Sequence, residues 1–347
     1  MKKIFAFAIA AVAVLASCTK VENGTQSSRE ISFLAGSFVH TRANVAYANG
    51  NFGVYSWYNE ADPFMVNEEV GEVESVWKTI HHTFYWPKTG TITFLSYSPF
   101  SGTNNSANSL PTVNGGNGSY SLAYGSTAAP YTVADDDLMY ADVVTCECEL
   151  PVTPNGVAET HPAVPTIFHH ALAKVRFEAC ATMLEEGTAP DVTKWEITVK
   201  AARVENLYTT GTLSMNWERG EWGKPAGNVW TSPAGVLDRE FANDVVLTES
   251  YQALGDLGFV LPQTLVDQVI SLDVHIKTTL PNGHVIEEDV TMEAKLSDVS
   301  ETIKSWQMNQ SIVYRIKISP VDDLMPITFA PELVDWDEYV EEFTLPL

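Results

Sequence analysis

The sequence predicts an all-β protein, and we expect two antiparallel β-sandwich domains. Apolar and polar residues alternate with a period of two in several runs, which is the pattern of half-buried strands. In one run, Ile270, Leu272, Val274 and Ile276 alternate with polar or charged residues. Turn signals such as Pro281-Asn282-Gly283 separate such runs. No long segment has a helical period, so we expect strands to build the core.

Runs typical of strands follow one another along the chain. Phe52 to Tyr58 is rich in aromatic residues, and two further runs flank a turn at Pro87 to Gly90. Late in the chain, Ile312, Tyr314 and Ile316 repeat the alternation. The predicted strands, in chain order, span residues 31–39, 52–58, 82–86, 91–97, 138–141, 195–200, 270–277, 284–290 and 312–319.

The chain of 347 residues is long enough for two domains. Ser101 to Ser126 is rich in Gly, Asn and Ser, which predicts a long loop inside the first domain. Pro151 to Pro165 contains four prolines and no alternation, so it is the candidate linker. We therefore expect an N-terminal β-sandwich over residues 31–160 and a C-terminal β-sandwich over residues 161–347.

The first residues have the features of a lipoprotein signal. Lys2 and Lys3 precede an apolar run from Ile4 to Leu15, which is too short for a membrane span of about 20 residues. Leu15-Ala16-Ser17-Cys18 then resembles a bacterial lipobox. This predicts a signal peptide over residues 1–17, acylation of Cys18, and an outer-membrane lipoprotein exposed on the cell surface. The polar residues 18–30 are expected to form a flexible tether.

The net charge of the chain excludes nucleic acid as a partner. Acidic residues outnumber basic ones by 44 to 20, for a formal net charge of −24, so the chain repels nucleic acid.

Three cysteines follow the signal, Cys146, Cys148 and Cys180, and an odd number cannot pair completely within one chain. We interpret them as small core or surface thiols. The alternative is a single disulfide to Cys180.

No group of residues predicts catalysis. The sequence lacks the G-x-S-x-G and H-E-x-x-H patterns and a phosphate-binding glycine loop. Neighbours on a strand point to opposite faces, so the doublets His81-His82 and His169-His170 are poor metal sites. Asp135-Asp136-Asp137 lacks the ligand spacing of a calcium loop. We therefore predict no enzyme activity, no cofactor and no metal.

Tryptophan is the one residue type that suggests a ligand. The chain has nine tryptophans, and their rings can stack on sugars. Three of them, Trp217, Trp222 and Trp230, cluster in one glycine-containing segment and are the candidate glycan-binding residues. The alternative is that they lie in cores or cover sheet edges.

Both ends of the predicted fold consist of strand-like segments. Ile31 to Val39 is followed by the polar stretch His40-Thr41-Arg42-Ala43-Asn44, the kind of loop that proteases cut. A cut after Arg42 would separate the first strand from the rest. At the other end, Phe343, Leu345 and Leu347 alternate with other residues. Such a tail pairs with its own domain or adds to the sheet of another chain.

This layout resembles the fimbrillin family, the type V pilins of Bacteroidetes. The matching segments keep a family-like order and spacing over nearly all of the chain after the signal. They are Leu15 to Cys18, Ile31 to Arg42, Phe52-Gly53-Val54-Tyr55, Asp137 to Ala141, Phe168 to Phe177, Phe259-Val260-Leu261-Pro262-Gln263, Val313 to Ile318 and Val334-Asp335-Trp336.

The resemblance implies two transthyretin-like β-sandwich domains and a structural subunit of a cell-surface fimbria that contributes to adhesion. It implies that an arginine-specific protease removes the first strand, and that a C-terminal strand of another fimbrial subunit, identical or related, fills the groove. Cleavage falls between Arg42 and Ala43 on this sequence. Arg29 is a rival site, but a cut there would free no strand.

The two exchanged segments follow from the same resemblance. The first strand must be replaceable, at the edge of its sheet. The released strand comprises residues 31–38, with Ile31, Phe33 and Phe38 as its large apolar residues, and the donor comprises residues 339–347, with Tyr339, Phe343, Leu345 and Leu347.

Two other functions remain as alternatives. A non-polymerising tip adhesin or glycan-binding surface lipoprotein would expose the segment from Trp217 to Trp230 and bind a host protein or glycan. A hydrolase of surface glycans would need a catalytic pair of carboxylates, and no spacing in the sequence selects one.

Overall fold

The structure, a computed structural model, describes residues 29–37, 45–46, 49–100, 110–150, 152–153, 156–157, 160–181, 193–218, 226–300, 302–319, 329–334 and 345–346. These residues form strands, turns and irregular connections without a helix, which confirms the all-β prediction. None of them therefore belongs to a helix with the length and apolar character needed to cross a bilayer.

The first thirteen strands come from the N-terminal part of the chain. They are β1 Phe33–Ser37, β2 Val45–Ala46, β3 Phe52–Tyr58, β4 Asp62–Val73, β5 Val76–Thr79, β6 Thr91–Ser98, β7 Thr112–Gly116, β8 Ser119–Tyr124, β9 Tyr131–Thr132, β10 Met139–Ala141, β11 Val144–Glu147, β12 Val152–Thr153 and β13 Gly156–Val157.

The remaining strands are longer on average. They are β14 Val164–His170, β15 Ala173–Ala181, β16 Lys194–Glu218, β17 Ala226–Val246, β18 Gln252–Val260, β19 Gln263–Thr264, β20 Val269–Thr279, β21 Val285–Lys295, β22 Ser305–Trp306, β23 Gln310–Ser319, β24 Phe329–Val334 and β25 Leu345–Pro346.

The first sheet closes on itself. Paired neighbours follow the order β10-β14-β1-β5-β4-β3-β6, and β6 pairs back to β10, while β2 pairs with β1 and β11 with β6. The hairpin from β4 to β5 turns at Glu74 and Ser75, which both have positive φ (53° and 63°), as two-residue hairpins require. Side chains such as Phe33, Phe52 and Phe168 fill the space inside.

Strand β1 has neighbours on both sides. It runs parallel to β14, with Phe33–Ser37 opposite Val164–Phe168. On the other side it pairs with β5 at one position and with β2 at two. The expectation of an edge strand is therefore wrong. Because the sheet closes, β1 lies inside it, although its second side is paired only in part.

The second half of the chain forms two sheets around a common core. One sheet follows the order β18-β15-β23-β24, with β25 also on β23, and the other follows β21-β20-β16-β8-β7, with β17 and β9 on β16. The alternating residues of β20 and β23 point into this core, which confirms the period-two prediction. They are Ile270, Leu272, Val274, Ile276, Ile312, Tyr314, Ile316 and Ile318.

The predicted linker is not where the chain changes sheets. Strand β14 begins at the end of that linker, yet it pairs with β1 and β10 of the first sheet. The change comes at Ala171 and Leu172, between β14 and β15. The sequence placed the boundary at 160/161 from proline content, but prolines interrupt a strand without deciding which sheet the next strand joins.

The glycine-rich segment is not a single loop. It contains β7 and β8, and β8 pairs with Leu213–Glu218 of β16. Asn117 and Gly118 form the turn between them with positive φ values of 55° and 81°. Tyr120, Leu122 and Tyr124 alternate into a core that residues of both halves share. The alternation of these three residues indicates a strand, although the Gly, Asn and Ser content of the whole segment is typical of a loop.

The motif at Phe52 to Tyr55 has a steric reason. Tyr97, on the paired strand β6, lies across Gly53, and a Cβ at Gly53 would come within 2.1 Å of the Tyr97 ring atom Cε1. The Tyr97 hydroxyl donates to Asn67 Oδ1 at 2.5 Å, at a residue of β4 with φ of 50°. Glycine is needed here because it lets an aromatic ring pack against the strand backbone.

Candidate functional site

The start of β1 is held by residues 84–86, which precede β6. Ile31 N–H donates to Phe84 O at 2.9 Å, and Trp86 N–H donates to Arg29 O at 2.7 Å. Glu30 and Tyr85 lie opposite each other in the bridge that these two bonds enclose. Residues 82–86 were predicted to be a strand, and only this isolated bridge is formed. Its function is to secure the entry of the chain into β1.

Arg29 contributes its side chain to the same contact. Its guanidinium donates to Trp86 O from Nε at 3.2 Å and from Nη2 at 2.6 Å. Arg29 therefore bonds to the backbone of Trp86 through both its own carbonyl and its side chain. We call this set of three hydrogen bonds the Arg29 clamp.

Trp86 gives the clamp a rigid base. Its ring is buried, stacks on His161 with centroids 4.8 Å apart, and meets the edge of Phe94 at 5.9 Å. Burial lowers the pKa of His161 because it disfavours the imidazolium, and the nearby Arg29 guanidinium lowers this pKa further. At the base of β1, burial and the Arg29 guanidinium thus both disfavour the charged form of His161.

Phe33 anchors the middle of the site. It meets Phe52 and Phe94 edge to face, with centroid distances of 5.7 and 5.9 Å. Phe52 in turn contacts Trp77 at 5.7 Å and Phe168 at 5.2 Å. We call Phe52, Trp77, Phe94 and Phe168 the Phe33 pocket. Removal of β1 would open a cavity lined by aromatic rings, and exposing such surface is costly in water.

The two faces of β1 differ. Ile31 and Phe33 are 1% and 3% exposed, whereas Leu34 is 42% exposed. The strand therefore presents one apolar face to the core at a spacing of two residues. Ser32 O accepts from Val164 N–H at 2.7 Å, so the pairing with β14 extends before the first residue of β1.

Segment 80–86 is itself fastened to β4. His81 Nε2 lies 2.9 Å from Glu69 Oε2, and His82 Nδ1 lies 2.9 Å from Glu68 Oε2. These histidines, predicted to be poor metal sites, pair instead with neighbouring carboxylates. Across the described ranges, histidine, cysteine and acidic side chains do not gather in groups of three that could hold a metal.

Most predicted assembly residues lie outside the described residues. These are Cys18, Phe38, Arg42, Ala43, Tyr339, Phe343 and Leu347, together with Trp222. At the C-terminus, the backbone at Leu345 pairs with Ile318 of β23. Ile31 and Phe33 are the predicted exchange residues whose surroundings the structure describes, and both are in the core.

Two members of the tryptophan segment lie in the core, which contradicts the exposure that the alternative glycan-binding function requires there. Trp217 is fully buried and Trp230 is 7% exposed. Trp230 Nε1 donates to Ala171 O at 2.8 Å, where the chain crosses between the halves, and Trp217 contacts Tyr140 at 6.2 Å. Buried rings of this kind stabilise the junction and cannot stack on a sugar, so we do not propose a glycan site there.

The crossing is reinforced by the histidine of the Phe168-to-Phe177 motif. His170 Nδ1 lies 2.8 Å from a carboxylate oxygen of Asp137, and both side chains are largely buried. The His170 N–H donates to Asn309 Oδ1 at 3.1 Å. The motif therefore fixes β14 to β10 on one side and to the loop before β23 on the other.

Cys146, Cys148 and Cys180 are thiols, and the disulfide to Cys180 is not formed. Cys146 is half-buried, whereas Cys148 and Cys180 are buried. Burial, followed by the charge of Glu147, raises the pKa of Cys148 to about 11. This thiol is protonated near neutral pH, so a nucleophilic function is not supported.

Sequence reasoning missed Trp86 and His161 as parts of the site. Neither lies in an alternating run, and they are 75 residues apart, so only the fold brings their rings together. The sequence identifies Arg29 only as a rival cleavage site. Its contact with Trp86 has no local signal in the sequence.

Solved structures that resemble this chain come from Bacteroidetes. A fimbrial protein from Bacteroides vulgatus has a TM-score of 0.56 and 14% identity, over 89% of this chain and 99% of its own. A candidate cell adhesion protein from Bacteroides uniformis has a TM-score of 0.47 and 16% identity, over 90% and 100%. The fimbrial anchor protein Mfa2 from Porphyromonas gingivalis has a TM-score of 0.32 and 11% identity, over 83% and 90%.

The first of these likenesses shows that the fold is one found in fimbrial proteins. A family model described as fimbrillin-like matches residues 41–336. The chain belongs to the fimbrillin-like family, as the sequence motifs suggested. This family implies a cell-surface location and association with other fimbrial subunits. No curated protein matches the chain.

Proposed function

We propose that the chain is a structural subunit of a cell-surface fimbria with two transthyretin-like domains, made as an outer-membrane lipoprotein acylated at Cys18. An arginine-specific protease cuts between Arg42 and Ala43. Strand β1 then leaves, and residues 339–347 of another subunit take its place. The observation that supports this most is the uneven pairing of β1: it does not lie at a sheet edge as expected, but it is paired along its full length only with β14 and at three positions with β5 and β2.

The pairing of β1 favours replacement of this strand by a donor strand over addition of a donor strand to the edge of the sheet. Because β1 lies between β14 and the pair β2 and β5, its loss leaves a gap with two walls. A strand entering this gap gains hydrogen bonds mainly from β14, each contributing about 0.5–1.5 kcal/mol. The same hydrogen bonds and buried side chains oppose the departure of β1. A gap left by β1 would therefore be refilled quickly, either by β1 itself or by a donor strand.

The connection after β1 is compatible with release by a single cut. Strand β2 pairs with β1 through Gly36 opposite Ala46 and Ser37 opposite Val45, so residues 38–44 join two antiparallel neighbours. Arg42 belongs to this connection. Cutting there separates β1 from β2 and leaves β2 attached to the main body of the chain.

The donor segment matches the apolar spacing of β1. Phe343, Leu345 and Leu347 repeat at two-residue intervals, as Ile31, Phe33 and Ala35 do. An aromatic or branched side chain entering the Phe33 pocket would be worth roughly 1.5–3 kcal/mol on burial. The two segments therefore share the two-residue spacing that places apolar side chains on one face of a strand.

Assembly can be tested with the full-length chain extracted in detergent and treated with an arginine-specific protease. Cut protein should form a ladder of multimers on gels run without heating, since many strand hydrogen bonds must break at once. The variants Arg42→Gln and a chain ending at residue 338 should remain monomeric. A wild-type chain that is fully cut after Arg42 and still runs as a monomer would contradict strand exchange.

The lipid anchor is tested separately. Cys18→Ser should move the protein out of the membrane fraction while leaving its ability to form the ladder after cutting. If the Cys18→Ser chain is still exported with the membrane fraction, the proposed acylation is wrong and the assembly proposal is unaffected.

A further inference from the structure

The first half of the chain offers a protease two arginines. Arg29 and Arg42 are the only arginines before Arg176. They lie on opposite sides of β1, and a cut at each has a different consequence. A cut after Arg42 frees β1, whereas a cut after Arg29 would detach the N-terminal tether and leave β1 in its sheet.

Cleavage after Arg29 alone would thus produce a subunit that is unable to accept a donor strand. It would have lost any lipid anchor at Cys18 while its acceptor gap remained filled by its own strand. A fold that directs the protease to the second arginine would avoid this product.

The Arg29 clamp supplies this means. A protease of this specificity must take the arginine side chain into its own pocket and pair with the extended backbone around the scissile bond. The Arg29 guanidinium is already bonded to Trp86 O, and Arg29 O accepts from Trp86 N–H. The residue on the far side of the scissile bond, Glu30, is bridged to Tyr85, and Ile31 N–H is bonded to Phe84 O.

Opening this bond for cleavage also disturbs the core. Ile31 follows Glu30 directly and is 1% exposed, and Trp86 is held by its contacts with His161 and Phe94. Lifting residues 29–31 away from residues 84–86 breaks three clamp bonds and starts to withdraw Ile31. Proteolysis of a folded chain follows the population of such locally open states.

We propose that the Arg29 clamp shields the Arg29–Glu30 bond from arginine-specific proteolysis in the folded precursor, so that β1 and the tether leave together. This proposal rests on the proposed processing at Arg42. Arg29 then acts as a specificity-determining residue of the precursor. It is a competing substrate site that the fold has closed.

The test uses the full-length Arg42→Lys chain and an arginine-specific protease that does not cut after lysine. Mass spectrometry follows cleavage after Arg29 over time, with a synthetic peptide of residues 22–36 as the unprotected reference. We expect the folded chain to be cut at least tenfold more slowly than the peptide. A smaller difference overturns the shielding.

A pair of further variants separates local from global opening. In the Arg42→Lys background, Ile31→Val loosens β1 next to the clamp, and Leu272→Val is a comparable loss of apolar volume at a residue 1% exposed in the distant core. Ile31→Val should accelerate cleavage after Arg29 several-fold, and Leu272→Val should leave it within about twofold. Equal acceleration by both would show that general stability, not the clamp, protects the bond.

The result does not depend on the assembly test. The Arg42→Lys chain measures protection of Arg29 without requiring processing or polymerisation. Wild-type chain that is not cut at Arg42 would refute the proposed processing while the peptide comparison still decides whether the clamp shields Arg29.

Discussion

Two strands of the molecule, β1 and β23, occupy equivalent positions and are secured very differently. Strands β14 and β15 form one stretch of chain, and each has a parallel neighbour. β1 pairs with β14 over Phe33–Ser37, whereas β23 pairs with β15 from Gln310 to Ile318. On the other side, β23 pairs with β24 along Ser311–Ile316, while β1 meets β5 at one position and β2 at two.

Their core contacts differ in the same sense. Tyr314 of β23 is fully buried and stacks on Phe177 at 5.1 Å, and its hydroxyl accepts from Trp306 Nε1 at 3.0 Å. The Phe33 side chain of β1 packs against other aromatic rings and has no polar atom that could form a hydrogen bond. The strand β23 is therefore held along both sides and by a hydrogen bond of its buried tyrosine, whereas β1 is held along its full length on one side only.

The largest effect that sharpens this comparison is expected for Tyr314→Ala. Loss of the ring and an orphaned Trp306 N–H should lower the free energy of unfolding by about 3–5 kcal/mol, measured by urea denaturation. Tyr314→Phe, the matched control, keeps the ring and should cost about 1–3 kcal/mol. A change below about 1 kcal/mol for Tyr314→Ala would show that β23 is no more permanent than β1.

Phe33→Ala is expected to act locally. The truncation should cost about 3 kcal/mol and should appear mainly as faster amide exchange at residues 33–37 and 164–168, with little change in β15 and β23. Leu34→Ala, on the exposed face, should stay within about 0.5 kcal/mol. Uniform loss of protection throughout both halves would contradict a separately removable β1.

Gly53→Ala tests the packing that supports the Phe33 pocket. The new methyl group would overlap the Tyr97 ring, so the variant should lose about 1–3 kcal/mol. The double variant with Tyr97→Ala should be less destabilised than the sum of the two single changes, since the clash disappears with the ring. Simple additivity in thermal unfolding would show that the close approach of ring and strand is not what requires glycine.

The smallest effect is a pH dependence at the base of β1. The pKa of His161 is lower in the folded chain than its usual value of about 6.5, so the unfolded chain binds a proton more readily as the pH falls. Stability should therefore decrease as the pH drops through about 6.5 and below. His161→Gln should flatten this part of the stability profile, and Arg29→Gln should reduce its slope. An unchanged slope in both variants would exclude His161 as its origin.

Several strands of the fold could be predicted residue by residue. Phe52–Tyr58 is a strand with the expected bounds, and the alternating runs in β20 and β23 point inward as their spacing required. The period of a strand is a local property, because each residue's face depends only on its neighbours in the chain. The burial of Ile31 and Phe33 has the same local origin.

The sequence by itself therefore determined that this chain is all-β, that it has fimbrillin-like motifs, and which faces of its regular strands are apolar. Tertiary structure alone decided that β1 lies inside a closed sheet, that β14 belongs to the first sheet, that Trp217 and Trp230 are buried, and that Arg29 meets Trp86. Alternation fixes the face of a residue and leaves its partner open. The partners here are far apart in sequence and are selected by the packing of whole sheets.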